Sequence, residues 1–183
     1  MIRVISGRYK GKRLRHVASE KVRPMPNKLK EALFNIIQAR VKDAVFLDGF
    51  AGTGSVGIEA LSRGARVAVF IEQFPSAVQA IRINLERCQA EEQGLVISRE
   101  FNRAVIHLAG QDTRFDMIFL DPPYRLLDER DPLKVIHKRG ILAPEGSIIL
   151  RHHHKTDFSS PYFSLERKKR IGDDVLEFFS PSG

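Results

Sequence analysis

The sequence offers a single cysteine, Cys88, among 183 residues. An internal disulfide is therefore excluded, which suits a reducing compartment, and Cys88 itself reads as a half-buried helix thiol. No run approaches the roughly 20 consecutive apolar residues of a membrane span. Charge begins at Arg3, where a secretory leader would need an apolar block. The expectation is a soluble, intracellular and cytoplasmic protein. Repeats, low-complexity tracts and long linkers are also missing, and the length suits one domain able to bury a core.

Acid is scarce at one end. Residues 1–30 hold a single acidic residue, Glu20, against ten cations: Arg3, Arg8, Lys10, Lys12, Arg13, Arg15, Lys21, Arg23, Lys28 and Lys30. That segment nets +9 in a chain of +8, so the other 153 residues net −1. Cations confined to one end are an electrostatic footprint for a polyanion, with a solvated basic tail as the bland alternative. Apolar residues interleave with them, as in Ile2-Arg3-Val4-Ile5 and Arg8-Tyr9-Lys10. A two-stranded hairpin turning near Gly7 to Gly11 would present the cations on one face.

The remainder of the chain has a regular beat. After Pro24 and Pro26, Leu29, Leu33, Ile36, Ile37 and Val41 stand at helical spacing, with Asn27 available as N-cap. The expected strands are Ala44–Leu47, Arg66–Ile71, Gly94–Ile97, Asp116–Leu120 and Ser147–Leu150, and helices are expected at Ser55–Arg63, Ser76–Cys88 and Arg103–Leu108. Continuous apolar strands alternating with helices predict an α/β fold, a mainly parallel sheet covered on both faces. Tyr162–Arg167 and Val175–Phe179 lie close enough to form an antiparallel hairpin at the sheet edge.

Two turns carry chemistry. The first strand runs into Asp48-Gly49-Phe50-Ala51-Gly52-Thr53-Gly54-Ser55-Val56-Gly57. Glycines 52, 54 and 57 spell the dinucleotide fingerprint, which alone is weak evidence and serves NAD and S-adenosylmethionine alike. Glu72, ending the next strand, is placed to accept hydrogen bonds from a ribose. The strand Met117–Leu120 ends in Asp121-Pro122-Pro123-Tyr124. Two prolines make a stiff extended turn, pointing the Asp121 carboxylate and the Pro122 carbonyl one way. Two such acceptors can grip the hydrogens of a planar NH₂ group and turn its lone pair toward a methyl donor. Tyr124 adds a flat face for a base. With a sulfonium as electrophile, positioning supplies most of the rate, and neither a metal nor a nucleophilic side chain is required.

At that tetrad the chain resembles nucleic-acid amino-methyltransferases, and in combination with other segments it is similar to one family, RsmD. The matching segments are Ile2–Gly11, Arg23-Pro24, Lys30–Asn35, Asp48 with Phe50–Gly54, Gly57–Gly64 and Phe119–Tyr124. The resemblance implies a Rossmann-like class I methyltransferase fold and N2-methylation of a guanine in small-subunit ribosomal RNA. It implies that Asp48, Phe50, Ala51, Gly52 and Gly54 line the methionine part of S-adenosylmethionine, Glu72 the ribose, and Glu100 with Phe101 the adenine. The catalytic set would be Asp121, Pro122, Pro123 and Tyr124. The clustering of charge puts RNA on Arg3, Arg8, Lys10, Lys12, Arg13, Arg15 and Arg23, in a basic extension over 1–26 preceding a methyltransferase domain over 27–183. The chain would act as a monomer on ribosomal RNA or an assembling small subunit. Three departures stand out: Glu100 replaces the family's Asp, Met25-Pro26-Asn27 its Thr-x-Asp, and His152 a Glu. His152-His153-His154 is expected in a solvated or RNA-facing loop and not in a metal site, because adjacent residues of an extended segment point opposite ways.

The competing readings are a DNA adenine or cytosine amino-methyltransferase, a nicotinamide-dependent oxidoreductase, and a non-catalytic RNA-binding module. The first would normally carry a target-recognition insertion and the second a substrate domain, and neither has room here. An intact Asp-Pro-Pro-Tyr speaks against the third.

Overall fold

The computed structural model describes residues 1–17 and 24–182; Arg23 and Lys21 lie outside them. Strands β1 (Val45–Asp48), β2 (Val67–Glu72), β3 (Gly94–Ser98), β4 (Phe115–Leu120), β5 (Leu142–His153), β6 (Phe163–Ile171) and β7 (Asp174–Pro181) form one sheet in the order β3-β2-β1-β4-β5-β7-β6. The first five are parallel, while β7 pairs antiparallel with both β5 and β6. The expected edge hairpin is present, with its second strand inserted next to β5. Order reverses between β1 and β4, and that is where open α/β sheets bind ligands, beyond the carboxyl ends of the strands.

Alternation along each strand divides the core in two. Phe46, Ala68, Phe70, Met117, Phe119 and Ile149 face one side, and Leu47, Val69, Ile71, Ile118, Leu120 and Ile148 the other. Helices α1 (Asn27–Val41), α2 (Ser55–Ser62) and α3 (Pro75–Cys88) cover the first layer, and α4 (Phe101–Ala109) and α6 (Pro132–Arg139) the second. Helix α1 is amphipathic as read, but Pro26 occupies its N-cap and Asn27 is its first residue, its amide donating to the Met1 carbonyl at 3.4 Å. A proline suits that boundary because its φ of −58° needs no strain and its missing N–H has no helical partner. Cys88 ends α3 and is fully buried, deeper than expected.

The N-terminal residues pack into the first layer. Val4 and Gly11 are joined by a backbone bond across the turn, and Arg3 bridges Arg13 in antiparallel fashion. Ile2, Val4, Tyr9 and Leu14 are buried, while Arg3, Arg8, Lys10, Lys12, Arg13 and Arg15 are exposed. This segment explains an oddity of α2: all eight of its residues are buried, Glu59 and Ser62 included. Glu59 accepts the amides of Ile5 (2.8 Å) and Ser6 (3.0 Å), and Ser62 Oγ donates to the Ser6 carbonyl (2.6 Å). Gly7 has φ +84°, and a Cβ there would lie 1.9 Å from the Ser62 carbonyl oxygen, so only glycine permits this contact.

Two regions differ from the sequence reading. Between the tetrad and β5 the chain forms two helices, α5 (Tyr124–Glu129) and α6, where none was expected. The signals for α6 were present: Asp131 caps Leu133 N at 2.8 Å, Pro132 opens the helix and Gly140 closes it at φ +62°. Strand β5 is also far longer than Ser147–Leu150. Its pairing with β4 jumps from Phe115↔Leu142 to Met117↔Ser147, so the irregular stretch holding Pro144 and Gly146 broke the apolar pattern without ending the strand. At its far end His152 and His153 pair with Val175 and Asp174. The expected solvated loop is thus strand through His153 and a turn at His154, and His152 is buried with its Nε2 3.5 Å from the equally buried Glu177.

Candidate active site

A cleft of about 440 Å³ opens at the carboxyl ends of the parallel strands, in the usual size range of small-molecule sites. On one side stand Phe50, Gly52 and Glu72, with Glu100 and Phe101 beside them; on the other stand Asp121 to Tyr124. Residues from four separate strand ends thus share one cavity.

The glycine turn is shaped from within. Gly52 and Gly54 have φ of +55° and +77°. Gly57 lies against Phe70, where a Cβ would meet the ring at 2.3 Å, so this glycine serves helix-to-strand packing. Its amide donates to Asp48 Oδ2 at 3.0 Å. A dinucleotide's pyrophosphate would use the amides of that helix N-terminus, but the protein's own carboxylate already occupies this one. Asp48 and Ala51 are buried beneath the cleft surface and not on its wall.

Glu72 is held by three backbone donors. Gly52 N lies 2.8 Å from Oε2, while Gln73 N (2.8 Å) and Phe74 N (2.9 Å) reach Oε1. Three of a carboxylate's roughly four acceptor positions are therefore engaged, and the group is fixed before any ligand arrives. Phe101 is 4% exposed and stacked on Phe50 at 4.6 Å, which makes the half-buried Phe50 the ring more open to the cleft. Glu100 lines the cleft and also caps α4, accepting Arg103 N at 3.2 Å.

Electrostatics sets the acids apart. Burial pushes the Asp48 carboxyl up to about 7; the Gly57 hydrogen bond opposes this, and the nearby charges of Asp121 and Glu72 add to it. Asp121 meets Arg151, absent from the sequence-based set: Arg151 Nη1 lies 2.7 Å from Asp121 Oδ2, and its Nε and Nη2 each lie 3.0 Å from Asp174 Oδ1. Burial alone would lower the Arg151 pKa, but the two carboxylates outweigh it and hold the guanidinium above its ordinary value. Tyr124 meets the His153 ring edge-on at 6.0 Å. Gln73, Phe74, Arg99 and Arg130 also line the walls and were missed. For Arg151 the available signal was a charged residue closing the apolar run Ile148–Leu150.

Residues 2–180 match the model of the family described as conserved hypothetical protein 95, the RsmD family. The chain belongs to this family. The Bacillus subtilis protein YlbH is 36% identical over 175 residues, covering 96% of this chain and 90% of its own length. Ribosomal RNA small subunit methyltransferase D of Escherichia coli K12 is 34% identical over 182 residues, covering 97% and 89%. The solved Escherichia coli protein yhhF superposes with a TM-score of 0.85 at 29% identity, over 98% of this chain and 97% of that one. An RNA methyltransferase from Salinibacter ruber, solved with S-adenosyl-L-homocysteine, gives 0.69 at 15% identity over 88% and 95%, a likeness of fold alone. The family's fold is thus the Rossmann-like methyltransferase sheet expected from the sequence. The oxidoreductase reading loses its footing.

The charge distribution assigned the arm cations to RNA. Most project from the surface, but Lys12 Nζ donates to the Arg87 carbonyl at 2.5 Å, and the Arg8 guanidinium stands 5.6 Å from the Tyr9 ring centre. Elsewhere, beside the cleft, His153, His154 and Asp173 have potential metal-ligand atoms within 4.8 Å of one another. Both rings already use Nδ1, for Lys155 N (3.2 Å) and the Asp173 carbonyl (3.3 Å).

Proposed function

We propose that this chain transfers a methyl group from S-adenosylmethionine to the exocyclic N2 amine of a guanine in small-subunit ribosomal RNA, in the cytoplasm and as a monomer. The observation that carries the reading is the shared cleft: a pre-fixed acidic residue and an open aromatic ring on one wall, and the Asp-Pro-Pro-Tyr turn on the other. These residues fit the cofactor, because a carboxylate locked by three amides keeps an acceptor position for a ribose hydroxyl, and the buried Asp48 carboxyl beneath the glycine turn can ionise beside a cation. When bound, the cofactor supplies an electrophilic methyl group. Phe50 and Gly52 face its methionine end from the cleft wall, Ala51, Gly54 and Asp48 support that turn from beneath, and Glu100 and Phe101 lie toward the adenine. Asp121 and the Pro122 carbonyl take the two amine hydrogens, Pro123 stiffens the turn and Tyr124 stacks on the base. Because a paired base hides its amine, the target guanine must be unpaired or flipped out. Residues 1–26 act as the RNA-holding extension of a catalytic domain over 27–183. Mapping N2-methylguanine in small-subunit ribosomal RNA from cells with and without the protein tests the assignment; an unchanged map overturns it.

Charge leads to two further expected outcomes. Between about pH 4 and 7 the native state keeps a proton on Asp48 that the unfolded chain has released, so this group's contribution to stability falls as pH rises through that window. A cationic ligand reverses the trend by favouring the ionised form. S-adenosylmethionine affinity should therefore rise from pH 6 to pH 8 more than that of S-adenosylhomocysteine, which lacks the sulfonium charge. Calorimetry at both pH values checks this, and parallel profiles for the two ligands would remove Asp48 from the argument. For RNA, changing Arg3, Arg8, Lys10, Arg13 or Arg15 to Ala should flatten the log–log salt dependence of binding, by roughly 0.7 for each phosphate left without its cation. Single-turnover rate at saturating RNA should change little. Filter binding at several salt concentrations reads the slope, and an unaltered slope in all five variants would make the arm a solvated tail.

A further inference from the structure

We infer that Arg151 is a positioning residue for methyl transfer, keeping Asp121 ionised and in one orientation, and that the antiparallel edge of the sheet exists in part to hold it there. This rests on the reading of Asp121 as the acceptor of the amine hydrogens. Three carboxylates converge at the reversal point of the sheet, Asp48 from β1, Glu72 from β2 and Asp121 after β4. Burial raises Asp48 most, and the charges of Asp121 and Glu72 add to it. Acids crowded in a partly buried cleft resist full ionisation unless a cation compensates them. An Asp121 that took up a proton would present an O–H to an amine that needs an acceptor.

Arg151 is built for that compensation. It stands on β5 immediately after Leu150, the partner of Leu120 in β4, and its side chain is 10% exposed. The guanidinium is planar and carries five donors in a fixed fork. One arm reaches Asp121 at 2.7 Å, and Nε and Nη2 close on Asp174 at 3.0 Å. Asp174 is the first residue of β7, which reaches β5 only by reversing direction after β6. A purely parallel sheet would leave the outer side of Arg151 to solvent and its rotamer free. Arg99, Glu100 and Arg130 are further charged groups lining the cleft, and Arg151 is the cation seated directly on the reacting-side carboxylate.

The test is single-turnover methyl transfer to small-subunit ribosomal RNA at saturating cofactor and RNA, from pH 5 to 9, with the full-length protein. Arg151→Met should lower the rate at pH 7 by on the order of tenfold. It should also move the acid limb of the profile upward by about one pH unit or more. Arg151→Lys should restore the limb, because it restores the charge, but not the full rate, because it lacks the fork. Asp174→Asn should lower the rate while leaving the limb within a few tenths of a unit of the wild type. Cofactor affinity should stay within a few fold throughout. A rate loss of equal size at every pH in Arg151→Met, with the acid limb unmoved, would overturn the proposal, since loss of structure or of an RNA contact acts that way. If Arg151→Met does not fold, the limbs of Arg151→Lys and Asp174→Asn decide the matter: either one displaced upward by a full unit contradicts the assignment of charge to Arg151 and orientation to Asp174. Asp121→Asn in the same assay separates the two readings. Undiminished activity there overturns the role of Asp121 itself, whereas its loss alongside an unmoved Arg151→Met profile overturns only the role of Arg151.

Discussion

Asp121→Ala should cut single-turnover methyl transfer by about 10²-fold or more while S-adenosylmethionine affinity stays within a few fold. The acceptor amine is a poor nucleophile whose lone pair must be turned toward the donor, and on this reading the Asp121 carboxylate does the turning with the Pro122 carbonyl. Misplacing the reacting nitrogen by about an ångström forfeits on the order of two decades of rate. The cofactor wall is independent of the side chain: Glu72 is fixed by Gly52, Gln73 and Phe74, and the glycine turn by Asp48. Arg151 would keep Asp174, so the substitution does not strand its charge. Relief of one neighbouring negative charge should, if anything, ease the ionisation of Asp48. Rapid-quench transfer assays paired with calorimetry measure both quantities. A variant that methylates at near the wild-type rate would sink the proposed role of the tetrad.

The second large effect is structural and concerns a residue that does not line the cleft. Glu59→Ala should destabilise the protein by about 3–5 kcal/mol, the usual cost of breaking a buried ion pair from one side. Glu59 has no exposed side-chain surface and neither does Lys30, whose Nζ lies 3.4 Å from it and donates to the Arg3 carbonyl at 2.8 Å. The same carboxylate accepts the amides of Ile5 and Ser6 and Nε of Arg63 at 2.8 Å. Removing it leaves a buried ammonium and two amides without that acceptor. Burial already lowers the Lys30 pKa against the opposing pull of Glu59, so in the variant Lys30 should shed its proton more readily. RNA affinity should fall as well, because the arm cations sit on the segment that Glu59 pins. Urea unfolding followed by circular dichroism gives the first number. A loss below about 1 kcal/mol would mean that the apolar packing of Ile2, Val4, Tyr9 and Leu14 holds the arm without it.

For the same reason, removing residues 1–20 outright is a poor probe of RNA binding. It would uncover the outer face of α2 and leave the Glu59 carboxylate without the Ile5 and Ser6 amides. Single cation substitutions leave that packing in place.

Much of the fold is legible because the signals are local. Apolar runs of strand length alternating with helical periodicity record which backbone faces are hidden, and of the five parallel strands only β5 departs from its expected bounds by more than a few residues. The misses share a cause: Pro144 and Gly146 interrupt a pattern without ending a strand, and the short helices α5 and α6 bury too few residues to stand out. At the site, Glu72 and Asp121–Tyr124 can be named because each ends or follows a strand, and strand ends in such sheets converge on one edge.

What the sequence by itself determined is therefore the set of elements, the basic character of one end, and the two turns that carry chemistry, all readable from residues adjacent along the chain. The tertiary structure alone decided the partnerships: Arg151 with Asp121 across 30 residues and Asp174 across 23, Glu59 with Ile5 across 54, and His152 of β5 with Glu177 of β7. Those pairs depend on which strand lies beside which, and β7 reaches β5 only because the chain first runs out to the edge as β6 and then turns back. Periodicity reports how much of a residue is buried, but not which residue it is buried against.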